Sequence, residues 1–102
     1  MASSIEFVEY VKTQLRDCYQ ITVRKMFGEY GVYCDGVFFG VVCDNNFLVK
    51  ITEAGKKMKD FWTEIPYQGA KPMFLIEELE DRELLEELIV VTCKELSTKE
   101  KK

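Results

Sequence analysis

The chain has 102 residues, 47% of them hydrophobic and 31% charged, with a formal net charge of −4 and no histidine. That length sets one domain able to bury roughly two-thirds of its unfolded surface, enough for a self-sufficient core. The acidic balance lacks the basic footprint of phosphate-dominated nucleic-acid binding and argues against anionic membranes, and the missing imidazole removes Ser-His-Asp and Cys-His catalysis.

Residues 1–6 read as neither a basic start nor an apolar leader, and no apolar run reaches a membrane-spanning length, so the expected location is cytoplasmic. Ser3-x-x-Glu6 predicts a capping box, with Ser3 as the N-cap of a first helix and Glu6 at its third position. Phe7, Val8, Val11, Leu15 and Cys18 then recur at three- and four-residue spacing, which gives one apolar stripe for packing.

The stretch from Arg24 to Ile51 organises the chain. Asp35-Gly36 is a strong hairpin signal, because a type I′ turn needs positive φ at both central residues. Asp44-Asn45-Asn46 tolerates left-handed backbone less cleanly. The runs between them are rich in Val, Phe and Tyr, so residues 24–34, 37–43 and 46–51 are predicted as three consecutive antiparallel strands.

Two-residue loops would set Tyr33 opposite Phe38, Gly31 opposite Gly40, Val42 opposite Phe47 and Gly40 opposite Val49. One face then carries Phe27, Glu29, Tyr33, Phe38, Val42, Phe47 and Val49, with a shallow trough at Gly31 and Gly40. The other carries Tyr30, Val32, Val37, Phe39, Val41 and Leu48. Neither face is polar, so each needs a helix or a partner over it.

Beyond Ile51, Thr52 is placed to cap a short helix reaching Lys59 or Phe61, although Gly55 weakens it by about 1 kcal/mol. Lys56, Lys57 and Lys59 read as a solvated helix face. Pro66 demotes the aromatic run of residues 61–67 to an edge strand, Gln68-Gly69-Ala70 is a turn, and residues 72–76 form a fifth strand. Asp81 is the expected N-cap of the last helix, whose broad apolar stripe is Leu84, Leu85, Leu88, Ile89, Val91, Thr92 and Leu96. Acidic residues crowd its start, where the helix dipole favours them, and residues 97–102 read as a frayed polar tail.

The 4 cysteines do not suggest a disulfide framework. Cys34 and Cys43 would lie ~20 Å apart along the strands, and there is no CxxC spacing, so free thiols of a reducing compartment are expected. No phosphate loop, dinucleotide fingerprint or HExxH motif is present, and the paired carboxylates sit only on the acidic helix face. The expectation is no catalytic residue, no metal site and no cofactor.

The run Lys25-Met26-Phe27-Gly28-Glu29-Tyr30-Gly31-Val32-Tyr33, the Asp35-Gly36 turn and the later Pro66-Tyr67-x-Gly69-Ala70-Lys71-Pro72-Met73 resemble the TfoX (Sxy) N-terminal domain family. The resemblance covers about residues 5 to 97. It implies a single secretion-chaperone-like α+β domain of two layers, α-β(3)-α-β(2)-α, with a five-stranded antiparallel sheet in the order 1-2-3-5-4. Full-length family members are regulators of natural competence and carry a second, helical C-terminal domain. A stand-alone N-terminal domain is therefore expected here, acting in competence or transcription regulation through protein contacts rather than as an enzyme.

The candidate binding residues are Gly28, Glu29, Tyr30, Gly31 and Lys50 on the meander, and Tyr67, Gly69 and Lys71 in the later loop. The alternative function is binding of a small ligand at the Gly31/Gly40 trough or in that loop. If the two long helices share the Phe27–Phe47 face, then Val32, Val37, Phe39, Val41 and Leu48 are left to pair with a second copy. A protein partner and a weak homodimer are the expected associations, with direct nucleic-acid binding and membrane binding disfavoured. On that reading Phe39→Glu gives a folded monomer.

Overall fold

A computed structural model of the chain describes residues 4–15, 20–26, 29–66 and 68–100. The order of elements is α1 (Ile5–Gln14), β1 (Ile21–Met26), β2 (Glu29–Cys34), β3 (Val37–Cys43), β4 (Asn46–Val49), α2 (Glu53–Met58), β5 (Trp62–Glu64), β6 (Met73–Ile76) and α3 (Arg82–Glu100). The class is α+β, and the sheet is antiparallel, with six strands in the order β1-β2-β3-β4-β6-β5.

The sixth strand corrects the expected five. Residues 24–34 do not form one long strand: β1 and β2 fold back on each other, with Ile21 opposite Cys34 and Met26 opposite Glu29. The chain reverses between Met26 and Glu29, and the intervening Phe27 and Gly28 lie outside the described residues. The relative order expected for the other five strands holds, and β1 is added at the outer edge of β2.

Both predicted hairpin turns form. Asp35 and Gly36 have φ of 49° and 85°, and Asp44 and Asn45 have φ of 53° and 59°, the left-handed pairs that a type I′ turn demands. The β3–β4 register is as expected, with Gly40 opposite Val49 and Val42 opposite Phe47. The β2–β3 register is not. Tyr33 lies opposite Phe38, but Val32 lies opposite Gly40 and Gly31 opposite Val41, so Phe39 is an extra residue in β3. Such a bulge reverses the facing of everything on one side of it.

Its consequence is the division of the core. Val32, Cys34, Phe39, Val42, Phe47, Val49, Phe74 and Ile76 face the helices, packed against Val8 and Val11 of α1, Leu15 at its C-cap, and Leu85, Leu88, Ile89 and Cys93 of α3. Val41, Leu48 and Met73 form a second cluster, with Phe38, Cys43 and Leu75 at its margin. The expected faces are therefore mixed: Val32 and Phe39 join the helix-covered core, whereas Tyr33 and Phe38 move outward with Val41 and Leu48. Gly31 and Gly40 are not opposite each other and form no shared trough. A Cβ on Gly40 would instead meet the Leu48 carbonyl oxygen at 2.6 Å, so glycine is required there by a close backbone approach.

The helices are set by caps. Ser4, rather than Ser3, caps α1: its hydroxyl accepts the Phe7 N–H at 3.2 Å, which puts Phe7 at the third helical position in place of Glu6. Its own N–H donates to Asn45 Oδ1 at 2.9 Å and ties α1 to the β3–β4 turn. Thr52 caps α2 as expected, accepting the Gly55 N–H at 3.0 Å. Gly55 is the price of a close approach, since a Cβ there would lie 2.8 Å from the Phe74 ring. The Glu95 carboxylate of α3 accepts the Glu53 and Ala54 N–H groups, each at 3.2 Å, so one helix closes the N-terminus of the other. Asp81 caps α3, accepting the Leu84 N–H at 3.2 Å. That helix continues to Glu100 through most of the expected polar tail, whose Lys and Glu residues are good helix formers.

Candidate functional site

The sheet face away from α1 and α3 carries a continuous row across five strands: Trp62 opposite Leu75, Leu75 opposite Leu48, Leu48 opposite Val41, and Val41 opposite Gly31. The middle of this row is buried, while its end is not. Trp62 is 73% exposed and Ile65, just beyond β5, is 55% exposed. β5 is only three residues long and pairs with β6 alone, so its other edge presents unpaired backbone groups.

The connection from β5 to β6 turns over this outer face. The Cys43 thiol donates to the Pro66 carbonyl at 3.0 Å, and Gly69 supplies the left-handed φ of 90° that the turn requires. Burial pushes the Cys43 thiol up, and the Glu29, Asp44 and Glu64 carboxylates add to the effect, so this group is held as the protonated donor.

Beneath the connection lies a cleft of about 580 Å³, walled by Phe38, Val41, Ile51, Pro66, Pro72, Met73 and Leu96. Its polar groups come from Lys50 and Lys71. The Lys50 ammonium stands 4.9 Å from the Phe38 ring centre, Phe38 meets Tyr33 at 5.4 Å, and Arg24 lies over Tyr33 at 5.6 Å. The result is a ladder of cation, ring, ring and cation leading into the cleft. Among the described residues neither Lys50 nor Lys71 forms an ion pair with a carboxylate. Two positive charges thus face an apolar cleft in a chain of net charge −4.

Of the predicted binding residues, Lys50 and Lys71 are brought together in this cleft, and Gly69 shapes the loop above it. Gly31 is on the same face, buried opposite Val41. Tyr30 is half-buried against the helix-side core and Glu29 accepts the Asp44 N–H at 2.9 Å, so these two serve the other face and a turn. Gly28 and Tyr67 lie outside the described residues.

The five residues expected to form a self-association face do not share one. Val32 and Phe39 are 0% exposed in the helix-covered core, Val37 is half-buried opposite Cys34, and Val41 and Leu48 are buried on the outer face. Phe39→Glu would place a charge in the core and unfold the chain rather than release a monomer. The expected role overlooked Trp62 and Ile65. Their signal was the poor alternation of an aromatic run before Pro66, typical of a short edge strand with its side chains in water.

Among the described residues no group of three or more Cys, Asp or Glu side chains is placed to hold a metal ion, and no helix is long and apolar enough to cross a membrane. Cys34, Cys43 and Cys93 are free thiols.

Fold and site together define a small two-layer α+β domain with one helix-covered face and an outer face open at one strand edge. The chain belongs to the TfoX N-terminal domain family, whose model matches residues 13–94. It is 33% identical over 96 residues to an "Uncharacterized 12.7 kDa protein in trpE 5'region" of Spirochaeta aurantia, across 91% of this chain and 83% of that protein.

Proposed function

We propose that the chain is a non-enzymatic regulatory or adaptor module, which works in the cytoplasm through protein contacts made at the β5 edge and the adjoining cleft. The observation that carries this reading is the exposure of Trp62 on an unpaired strand edge, and of Ile65 just beyond it, beside a lysine-bearing apolar cleft. Tryptophan is the residue type most often found at the energetic centre of protein interfaces, and a free edge accepts an added strand by backbone pairing. The partner's chemistry follows: an extended segment with an apolar side chain for the cleft and a carboxylate for Lys50 or Lys71. A role in competence or transcription regulation is the family-level form of the proposal.

The test is affinity capture from native lysate with the wild type and with Trp62→Ser, whose exposed position leaves the fold intact. A protein held by the first and lost by the second supports the reading; identical captures by both count against it. A second copy of the chain is one admissible partner, and sedimentation of the two proteins would show it.

The cleft also supports a second reading, as a site for a small anionic ligand with an apolar body. Its volume, about 580 Å³, falls within the range of small-molecule sites. Thermal stabilisation by one class of carboxylate or phosphate compounds, abolished by Lys50→Gln, would favour this reading over the first.

A further inference from the structure

Cys34 ends β2, one residue before the Asp35-Gly36 turn, and Cys93 lies in the C-terminal half of α3. The sequence separates them by most of the chain, yet the fold sets both in one core cluster, with 2% and 4% of their surfaces exposed. Both also line a cavity of about 350 Å³, separate from the cleft, with Asp35, Val90, Lys94 and Ser97 around them. Two thiols that share a core cluster and the wall of one cavity are a different object from a lone buried cysteine: one S–S bond between them would replace two S–H bonds.

We propose that Cys34 and Cys93 are a dithiol modification site, which a low-molecular-weight disulfide of the glutathione type converts to an intramolecular disulfide joining the β2–β3 turn to α3. In the first step the thiolate of one cysteine attacks a sulfur of the reagent. A protein–reagent S–S bond forms, the reagent's own S–S bond breaks, and one reagent thiol leaves with the proton given up by the cysteine. The second cysteine thiolate then attacks the protein sulfur of that mixed disulfide and expels the other reagent thiol. The two cysteines together lose two electrons and two protons, and the reagent gains them. Asp35 and Lys94 supply charges of both signs around the cavity, which suits a zwitterionic peptide disulfide. Burial pushes the Cys34 thiol up, the hydrogen bond from Cys93 opposes this and Asp35 adds to it. Reaction at neutral pH is therefore slower than for an exposed thiol.

The experiment incubates the full chain, folded, with excess glutathione disulfide, quenches with acid and counts thiols after denaturation alongside non-reducing peptide mapping. The expected result is a fall from 4 free thiols to half that number, a cross-linked peptide containing Cys34 and Cys93, and full reversal by dithiothreitol. In Cys34→Ser and in Cys93→Ser the cross-link is absent. Three results would each overturn the proposal: glutathione that stays attached without a cross-link in the wild type, a cross-link that persists in either variant, or unreacted Cys34 and Cys93 in a chain whose denatured form reacts.

Discussion

The bulge in β3 decides which of two adjacent phenylalanines holds the core, and truncating each in turn tests it. Phe39 is 0% exposed and meets Phe47 edge to face, with ring centres 6.4 Å apart. Phe39→Ala therefore removes a fully packed ring and leaves a cavity between sheet and helices, at a cost of about 3–5 kcal/mol. Domain stabilities are typically about 5–15 kcal/mol, so this variant should be marginal. Phe38 is half-buried on the outer face against Tyr33 and the Lys50 ammonium. Its loss forfeits part of a ring's burial and one aromatic contact, about 1–2 kcal/mol. Urea unfolding followed by far-ultraviolet circular dichroism measures both on one scale. A regular two-residue register would exchange the rings, with Phe38 inside and Phe39 outside. Phe38→Ala proving costlier than Phe39→Ala would refute the bulge and the facing of β2 built on it.

Other perturbations probe separate contacts. Gly40→Ala should destabilise by about 1–3 kcal/mol, because its Cβ would meet a backbone oxygen at 2.6 Å that no side-chain rotation can move; urea titration reads the loss. The Thr92 hydroxyl is buried with no hydrogen-bond partner among the described residues, so Thr92→Val should raise stability by about 1 kcal/mol in the same assay. The hydrogen bond from Lys59 holds the Glu78 carboxyl below its ordinary range. A depressed carboxyl stabilises the fold above its unfolded pKa and loses that contribution as pH falls through the folded value. Both groups are partly exposed, so wild type should exceed Glu78→Gln by only about 0.2–1 kcal/mol at neutral pH. Melting curves should show that difference closing as the solution is acidified below the carboxylate range.

How far the fold was legible follows from where its signals are local. Asp35-Gly36, Asp44-Asn45, Thr52 and Asp81 act within three or four residues, and turns and caps appear where their side chains demand them. The bulge at Phe39 has no such local marker. It is chosen by what Val32, Gly40 and Leu48 do together across three strands, so an unbroken alternation put Val32 and Phe39 on the wrong face. The β1–β2 reversal was similarly hidden, because Phe27-Gly28 sits within a run that reads equally well as one strand. At the site, Lys50 and Lys71 were singled out separately, and only the path of the β5–β6 connection over the sheet brings them into one cleft. That Cys34 and Cys93 share one core cluster and one cavity wall depends on how α3 lies on the sheet, which no spacing in the sequence encodes.

The central claim is that partners are met at the β5 edge and not on the helical side. A photo-crosslinking phenylalanine analogue placed at Trp62, and separately at the exposed Glu86 of α3, tests it in intact cells. Discrete crosslinked adducts from position 62, with none from position 86, are the predicted result. Adducts that arise from position 86 while position 62 remains silent would contradict the account and move the interaction surface to the helices.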